Sequence, residues 1–416
     1  MTATSATASV DDTALGYRAG TTDFRRVVAS LFAAGVATFA LLYSTQALLP
    51  ELADQFGVSS GTSTLSLSVT TVGLGAALLV AGPSSERVGR TRLIHLSLGA
   101  AAVVAAACAV APTWHVLLIL RLLQGVVLAG LPAVATAYLR EELHPSTQAR
   151  AAGLYVGGTA LGGMTGRLAT GAVGEVAGWR WALGAAALLG LLCALVVRVA
   201  LPESRHFQPR PIGPRALVPM ARRALGDPAL LALYAIGACA MGAFIAVFNG
   251  LGFRLAAAPF HLGLGAASLV FLVYPLGSIG STVGGRLADS VGRRAVAPLG
   301  CLLAVAGVVL TLPSSLPWMV AGIGLLTAGF FVVHGVASGW VPVRAHAGGV
   351  ATAQAASFYL FAYYAGSSVF GSLAGQAWSW SGWDGVVALS AALLGVTGGL
   401  TLLLRRTPAL VTGTGQ

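Results

Sequence analysis

The stretch that decides the fold is Gly82-Pro83-Ser84-Ser85-Glu86-Arg87-Val88-Gly89-Arg90-Thr91-Arg92, because it closes a long apolar segment and returns at the close of another as Gly285-Arg286-Leu287-Ala288-Asp289-Ser290-Val291-Gly292-Arg293-Arg294. Glu86 and Asp289 hold the same place in the two copies, 203 residues apart in a chain of 416. An echo on that scale means that one membrane unit was duplicated, and parallel repeats of this size are a building plan of secondary transporters. The echo continues downstream, where Tyr155, Gly162, Gly171 and Gly178-Trp179 return 204 residues later as Tyr359, Gly366, Gly375 and Gly382-Trp383. Two halves folded alike follow from that.

Composition points the same way. The chain is 56% hydrophobic and 9% charged, with a mean hydropathy of +0.83, whereas a soluble domain carries about 25% charged residues. About twelve apolar runs are long enough to cross a hydrocarbon core some 30 Å thick, which takes roughly 20 helical residues each. They fall near residues 27–49, 62–84, 93–111, 116–139, 151–173 and 181–201, and again near 229–249, 265–287, 295–312, 318–341, 351–372 and 386–404. The expectation is an all-α membrane protein of twelve transmembrane helices in two pseudo-symmetric six-helix bundles, 27–201 and 229–404. Hydropathy collapses between Pro202 and Pro228, which reads as a cytoplasmic linker over 202–228. Residues 1–26 read as a disordered cytoplasmic tail and 405–416 as a second cytoplasmic tail.

The net charge of +11 would suggest nucleic acid in a soluble protein; here its distribution assigns topology instead. All 24 basic residues are arginine. With the amino terminus inside, nearly all of those outside the spans fall in cytoplasmic segments, and only Arg180 and Arg254 fall on the outer side. That asymmetry places both termini in the cytoplasm. Cys108, Cys193, Cys239 and Cys301 each fall in a different apolar run, and no metal-ligand spacing occurs, so neither disulfides, a metal nor a cofactor is expected. The run after Arg25-Arg26 is too long for a signal peptide.

Three stretches resemble the major facilitator superfamily, and specifically its drug:proton antiporter branch. The segment from Gly82 to Arg92 looks like the family's loop between spans two and three, with Glu86 where Asp is usual and Thr91 replacing a basic residue. Arg121-Leu122-Leu123-Gln124-Gly125 matches its fourth-span motif. Gly158-Thr159-Ala160-Leu161-Gly162-Gly163-Met164-Thr165-Gly166-Arg167 resembles the antiporter motif of span five, with Gly163 in place of Pro and Arg167 in place of the last Gly. Closer still is the resemblance to the YnfM-type inner-membrane efflux permeases, carried by Phe39 to Tyr43, Gly162 to Leu168, Leu201 to Phe207, Ala328 to Phe331 with His334, and Tyr359 to Tyr364. It implies a proton-driven exporter in the bacterial inner membrane, working as a monomer, with a small molecule, protons and the lipid bilayer as its partners and no nucleic acid.

The repeated loop has a physical reading of its own. A carboxylate at the end of one span can sit against the amino-terminal end of another helix, where free amides and the macrodipole favour negative charge by about 0.3 to 1 kcal/mol. Glu86 would reach the eleventh span near Gly349, and Asp289 the fifth near Ala151. Gly82, Glu86, Arg87, Gly89 and Arg90, with Gly285, Asp289, Gly292 and Arg293, would then latch the bundles on the cytoplasmic face when the protein faces outward. The plain alternative is topology control, for which short arginine-rich loops suffice.

Within the spans an ionisable group is expensive and usually functional. Away from the span ends, Arg121 and Arg167 are the arginines there, with no Asp or Glu. Tyr43 and Gln46 fall at a similar depth. Each guanidinium needs acceptors, either protein groups or a bound anion; Arg121 with Gln124 could equally tie the fourth span to the first. A cavity with fixed positive charge would repel cations and accept a neutral polar or anionic compound. Away from the span ends and loops, where the other histidines lie, His334 is the side chain able to titrate near neutrality, and so the candidate for proton coupling; Glu86, Asp289 and Glu175 are the fallback. Gln354, Tyr359, Tyr363 and Tyr364, with Asn249 nearer the outer mouth, complete the candidate cavity. Gly158, Gly162, Gly163, Gly166 and Gly366 suit close helix approach. The function expected is proton-coupled efflux of a small neutral or anionic organic compound by alternating access. Uptake or facilitated diffusion of a sugar or organic anion is the rival. The spans offer no carboxylate pair, metal cluster or nucleophile with its base, so a membrane-embedded enzyme is remote.

Overall fold

The computed structural model describes residues 16–209 and 214–407; most of the two expected tails lies outside them. The chain is helical nearly throughout. The first half comprises α1 (Thr22–Phe56), α2 (Ser60–Val88), α3 (Arg90–Ala109), α4 (Trp114–Glu142), α5 (Pro145–Ala177) and α6 (Trp179–Ala200). After a short linker helix, Pro214–Gly226, the second half comprises α7 (Pro228–Ala256), α8 (Leu264–Val291), α9 (Arg293–Leu310) and α10 (Leu316–Ala347). A last helical rod, Thr352–Arg406, breaks at Ser381 and Gly382, giving α11 (352–380) and α12 (383–406). Ten helices, with Thr352–Arg406 taken as one, are long and apolar enough to cross a membrane. Helix α5, 33 residues long, is not among them, because its length is diluted by glycine, threonine and Arg167.

Helix ends follow local chemistry. The Thr21 side chain accepts from the Phe24 amide to start α1, and Asp227 accepts from Ala229 and Leu230 at the start of α7, each satisfying amides that a first turn leaves open. The repeated signature ends α2 and α8 at Gly89 and Gly292, whose φ values of 93° and 91° are cheap only for glycine. The next helix then starts at once, and Arg90 and Arg293 are its first residues.

Packing inside each half rests on missing side chains. Along α5, Gly158, Gly162 and Gly166 recur at one-turn spacing and lie on the α1 backbone. A Cβ at these positions would stand 2.5 Å from Phe32 O, 2.3 Å from Val36 O and 2.6 Å from Ala40. Gly366 presses on Ala238 of α7 in the same way, at 2.1 Å. Such contacts give dispersion and Cα–H···O contact in place of a hydrophobic driving force that lipid cannot supply. Gly163 points elsewhere, toward the Arg167 guanidinium and the rings of Tyr43 and Tyr274.

Between the halves the same joint is made twice. Gly375, near the last turn of α11, lies on Ser60 and Gly61 at the start of α2, and Gly171 of α5 lies on Ser268 and Leu264 of α8. Ser60 Oγ donates to Gly375 O (3.1 Å) and meets Ser379 Oγ at 2.8 Å; the amide of Gly265 donates to Glu175 (3.1 Å). Ser68 with Ser372 (2.8 Å) and Thr71 with Ser368 (2.7 Å) add two more bonds along α2 and α11. All of these lie on the half of the molecule away from the Gly89 and Gly292 turns. That end is closed, and the other end has no hydrogen bond between the bundles among the described residues.

Candidate functional site

At Leu42 the first helix breaks, and it resumes as a short 3-10 turn at Gln46. The break frees the Leu41 and Leu42 carbonyls, and Arg121 of α4 fills it. The fully buried guanidinium donates to Leu41 O (3.1 Å), Leu42 O (2.7 Å), Ser66 O (3.0 Å), Ser44 Oγ (3.1 Å), Gln124 Oε1 (2.6 Å) and Thr45 Oγ1 (3.4 Å). Five N–H groups meet six acceptors, so none remains for a ligand. Arg121 thus ties α4 to α1 and α2, the alternative that the sequence leaves open; Gln124 Oε1 is part of that tie, while its Nε2 has no hydrogen-bond partner.

Arg167 is arranged differently. It too is fully buried, but only Nε and Nη1 are used, donating to Gln46 Oε1 (2.5 Å) and Gly163 O (2.6 Å). Nη2 has no partner. Aromatic faces surround the guanidinium instead, with its carbon 4.0 Å from the Tyr43 ring centroid, 4.7 Å from Tyr274 and 5.0 Å from Phe271. The ring quadrupoles stabilise the cation without using its donors. No carboxylate lies within ion-pair distance among the described residues. A buried charged donor left unpaired costs about 1 to 3 kcal/mol or more. The site therefore holds one guanidinium with capacity to spare.

From Arg167 a string of hydrogen bonds crosses between the bundles. Gln46 Nε2 donates to Asn249 Oδ1 (2.7 Å), and Asn249 Nδ2 donates to Gly371 O (3.1 Å). Both amides are fully buried. Gln46 and Asn249 are 203 residues apart, the offset of the duplicated signature, so equivalent residues of the two halves meet face to face. Arg167 and Gly371 are the matching outer members, 204 apart. The repeat thus gives a near-symmetric closure, with arginine at one end where glycine stands at the other.

His334 of α10 is not isolated. Its Nδ1 lies 2.9 Å from the Tyr359 hydroxyl, and its ring stacks on Phe330 at 5.8 Å and contacts Tyr363 at 4.8 Å. Phe330 leads through Phe331 to Tyr274, so one aromatic column joins the histidine to the arginine cage. Tyr364 packs its Cβ 3.0 Å from where a Gly75 side chain would begin, an α2–α11 contact between bundles. Phe271, Tyr274, Phe330 and Phe331 were not singled out as cavity residues from sequence, although the Phe-Phe-x-x-His run carries the signal. Gln354 is placed otherwise than expected. It sits in the first turn of α11, nine residues and about 14 Å of helix rise from Tyr363, and takes no part in the column.

At the other end, Glu86 does not reach toward Gly349. Arg90 Nη2 donates to Glu86 (2.6 Å) and Glu141 (2.9 Å), Nε to Glu141, and Nη1 to Ser85 Oγ. Phe207 of the linker covers the guanidinium at 5.2 Å, while Ser204 bonds Thr91 and His206 bonds the buried Glu142. Asp289 makes no ion pair among the described residues and does not reach Ala151. With the opposite end shut, the latch contacts expected of an outward-facing molecule are open here. Gly82 and Gly285 meet nothing within 4 Å, and Arg87 is exposed.

Comparison with known proteins fits this architecture. Residues 31–353 match the family model described as Major Facilitator Superfamily. The chain is 40% identical over 372 residues to the uncharacterized MFS-type transporter YybF of Bacillus subtilis (strain 168), covering 89% of this chain and 91% of that protein. It is 41% identical over 375 residues to the inner membrane transport protein YnfM of Escherichia coli (strain K12), covering 90% and 89%. Among solved structures, a bacterial homolog of the human lysosomal transporter Spinster, in an inward-facing and occupied conformation, superposes with a TM-score of 0.72 at 14% identity, covering 92% of this chain and 97% of that one. These proteins are transporters and not enzymes, and this chain is a multi-pass membrane protein that belongs to the major facilitator superfamily.

Proposed function

We propose that the protein exports a small neutral or anionic organic compound across the bacterial inner membrane in exchange for protons, by alternating access between two six-helix bundles. Counting α5 as a crossing, and dividing the last rod at Gly382, gives twelve spans with both termini in the cytoplasm, a topology that the arginine distribution supports. The closed end is then the outer one, and this is the inward-facing state. The observation that carries the reading is Arg167: a buried cation facing π surfaces, with Nη2 unpaired and no acid beside it. Such a site repels a cationic drug and accepts an anion or a polar neutral molecule. Coupling is assigned to His334, whose hydroxyl partner Tyr359 and aromatic neighbours tie its state to the column that ends at the cage.

The test uses everted vesicles with an acid interior and a matched panel of carboxylates, amides and amines. Accumulation of a carboxylate or amide inside, collapsing with the gradient, supports the proposal. Accumulation of amines alone overturns the charge argument, and equilibration indifferent to the gradient establishes facilitated diffusion instead.

A further inference from the structure

The two cytoplasmic poles are related by the repeat yet chemically unlike. In the first half Arg90 is neutralised by Glu86 and Glu141, bonded to Ser85 and roofed by Phe207. Adding the repeat offset of 203 gives the counterparts in the second half: Arg293 for Arg90, Asp289 for Glu86, Arg344 for Glu141 and Ala288 for Ser85. One acid has become a base and one hydroxyl a methyl. Arg293 accordingly makes no hydrogen bond or ion pair among the described residues, and Arg344 turns to Asp227 at 2.9 Å.

Around Arg293 lies a groove of about 570 Å³, walled by Arg294, Trp340, Val343, Leu233 and Leu404, with Asp289 at its edge. Val343 is 49% exposed at its lip, whereas Leu233 and Leu404 are buried beneath. Arg293 is the first residue of the 18-residue α9, so the open amides of that helix add to the positive potential. In the other half, the strap from Pro202 to Phe207, held by Tyr138, Thr91 and Glu142, brings Phe207 over the matching Arg90.

We propose that this groove binds the headgroup of an anionic phospholipid from the cytoplasmic leaflet, with the phosphate on Arg293 and the glycerol and upper acyl chain along Trp340 and Val343. Charge complementarity favours that occupant. The groove is basic where its twin is neutralised, it lies at the arginine-rich rim, and anionic lipid is the abundant anion at that depth. An apolar wall below a cationic mouth fits an amphiphile better than a free ion. The inference concerns the second bundle's rim and does not depend on what the central cavity carries.

The experiment is native mass spectrometry of the full chain, delipidated in detergent and titrated with phosphatidylglycerol or phosphatidylcholine. The expected result is retention of phosphatidylglycerol in preference to phosphatidylcholine, falling several-fold in Arg293→Gln, kept in Arg293→Lys and unchanged in Arg92→Gln, an exposed arginine at the other pole. Should Arg293→Gln fail to fold, Val343→Glu places a repelling charge on the lip and must lower retention. Equal retention of the two lipids, wild-type retention in Arg293→Gln or Val343→Glu, or equal loss in Arg92→Gln overturns the proposal. Displacement by inorganic phosphate would assign the groove to a soluble anion and overturn it too.

Discussion

Replacing Asn249 with alanine should open the outer side. In the closed state the Asn249 amide accepts from Gln46 at 2.7 Å and donates to Gly371 O at 3.1 Å, fully out of solvent. Truncation removes both bonds and strands the Gln46 donor, because its carbonyl is already held by Arg167. A lost neutral bond costs about 0.5 to 1.5 kcal/mol and a stranded buried donor about 1 to 3. In the outward-open state the amides face water and the cost is small, so the difference, about 2 kcal/mol, falls on the closed state alone. That is about a 30-fold shift in the ratio of the two states. An outward-open population of about 1%, within the usual range for a minor state, would become about a quarter. Ser372, half-buried against Ser68, reports the change: in a background with the four native cysteines replaced by alanine, Ser372→Cys should react with an externally added, membrane-impermeant maleimide about 20-fold faster when Asn249→Ala is added. An unchanged labelling rate, with normal membrane abundance, would refute the assignment of this amide string as the outer closure.

Three further outcomes test the remaining assignments. Arg121→Gln should cost more than about 3 kcal/mol and deplete the protein from the membrane, since it strands the carbonyls of Leu41, Leu42 and Ser66 together; normal abundance with altered substrate preference would return Arg121 to the cavity. His334→Gln should abolish uphill export while sparing downhill exchange, and retained uphill transport would acquit it. Glu86→Ala should leave abundance intact and abolish transport, because Arg90 keeps Glu141 in the resting pole but the outward-facing latch loses its carboxylate; unaltered transport would remove the latch.

How much of this was legible in the sequence depended on whether the deciding contact is periodic. The duplicated signature and the offset of 203 locate the halves, and the same offset relates Gln46 to Asn249, equivalent residues on the first helix of each half. Arg167 stood out because its neighbours are glycines that offer no side-chain acceptor. The fate of Arg121 was hidden: its main partners are carbonyls that exist only because α1 breaks at Leu42, and hydropathy passes straight through that break. Phe271 and Tyr274 were missed for a related reason. An aromatic in an apolar run looks like lipid-facing filler until another bundle brings a cation against it. Gln354 stands near the start of the expected span 351–372, so its distance from the tyrosines is already legible in the spacing.

The two ends of the molecule close by different chemistry, and that difference gives alternation a direction. The outer closure consists of buried amides, hydroxyl pairs and glycine contacts, apart from the exposed Glu175, so neither salt nor moderate pH change reaches most of it. The poles at the Gly89 and Gly292 turns carry exposed or half-exposed charges, Glu86, Glu141, Asp289 and Arg293, with Arg90 buried between the first two, and a Debye length of about 8 Å screens the exposed ones at physiological ionic strength. A transporter so built rests with the end held by neutral bonds shut. Turning outward breaks those bonds, and on the proposed function the compensation is at Arg167, whose spare donor would gain a partner when an anion or polar ligand arrives. Ligand binding at the cage and release of the Gln46–Asn249 bond act on the same Gln46 side chain, since Arg167 holds its carbonyl while Asn249 holds its amide. On the proposed function, drawing the guanidinium toward a ligand would loosen the bridge between the bundles and so couple occupancy to opening through a single residue.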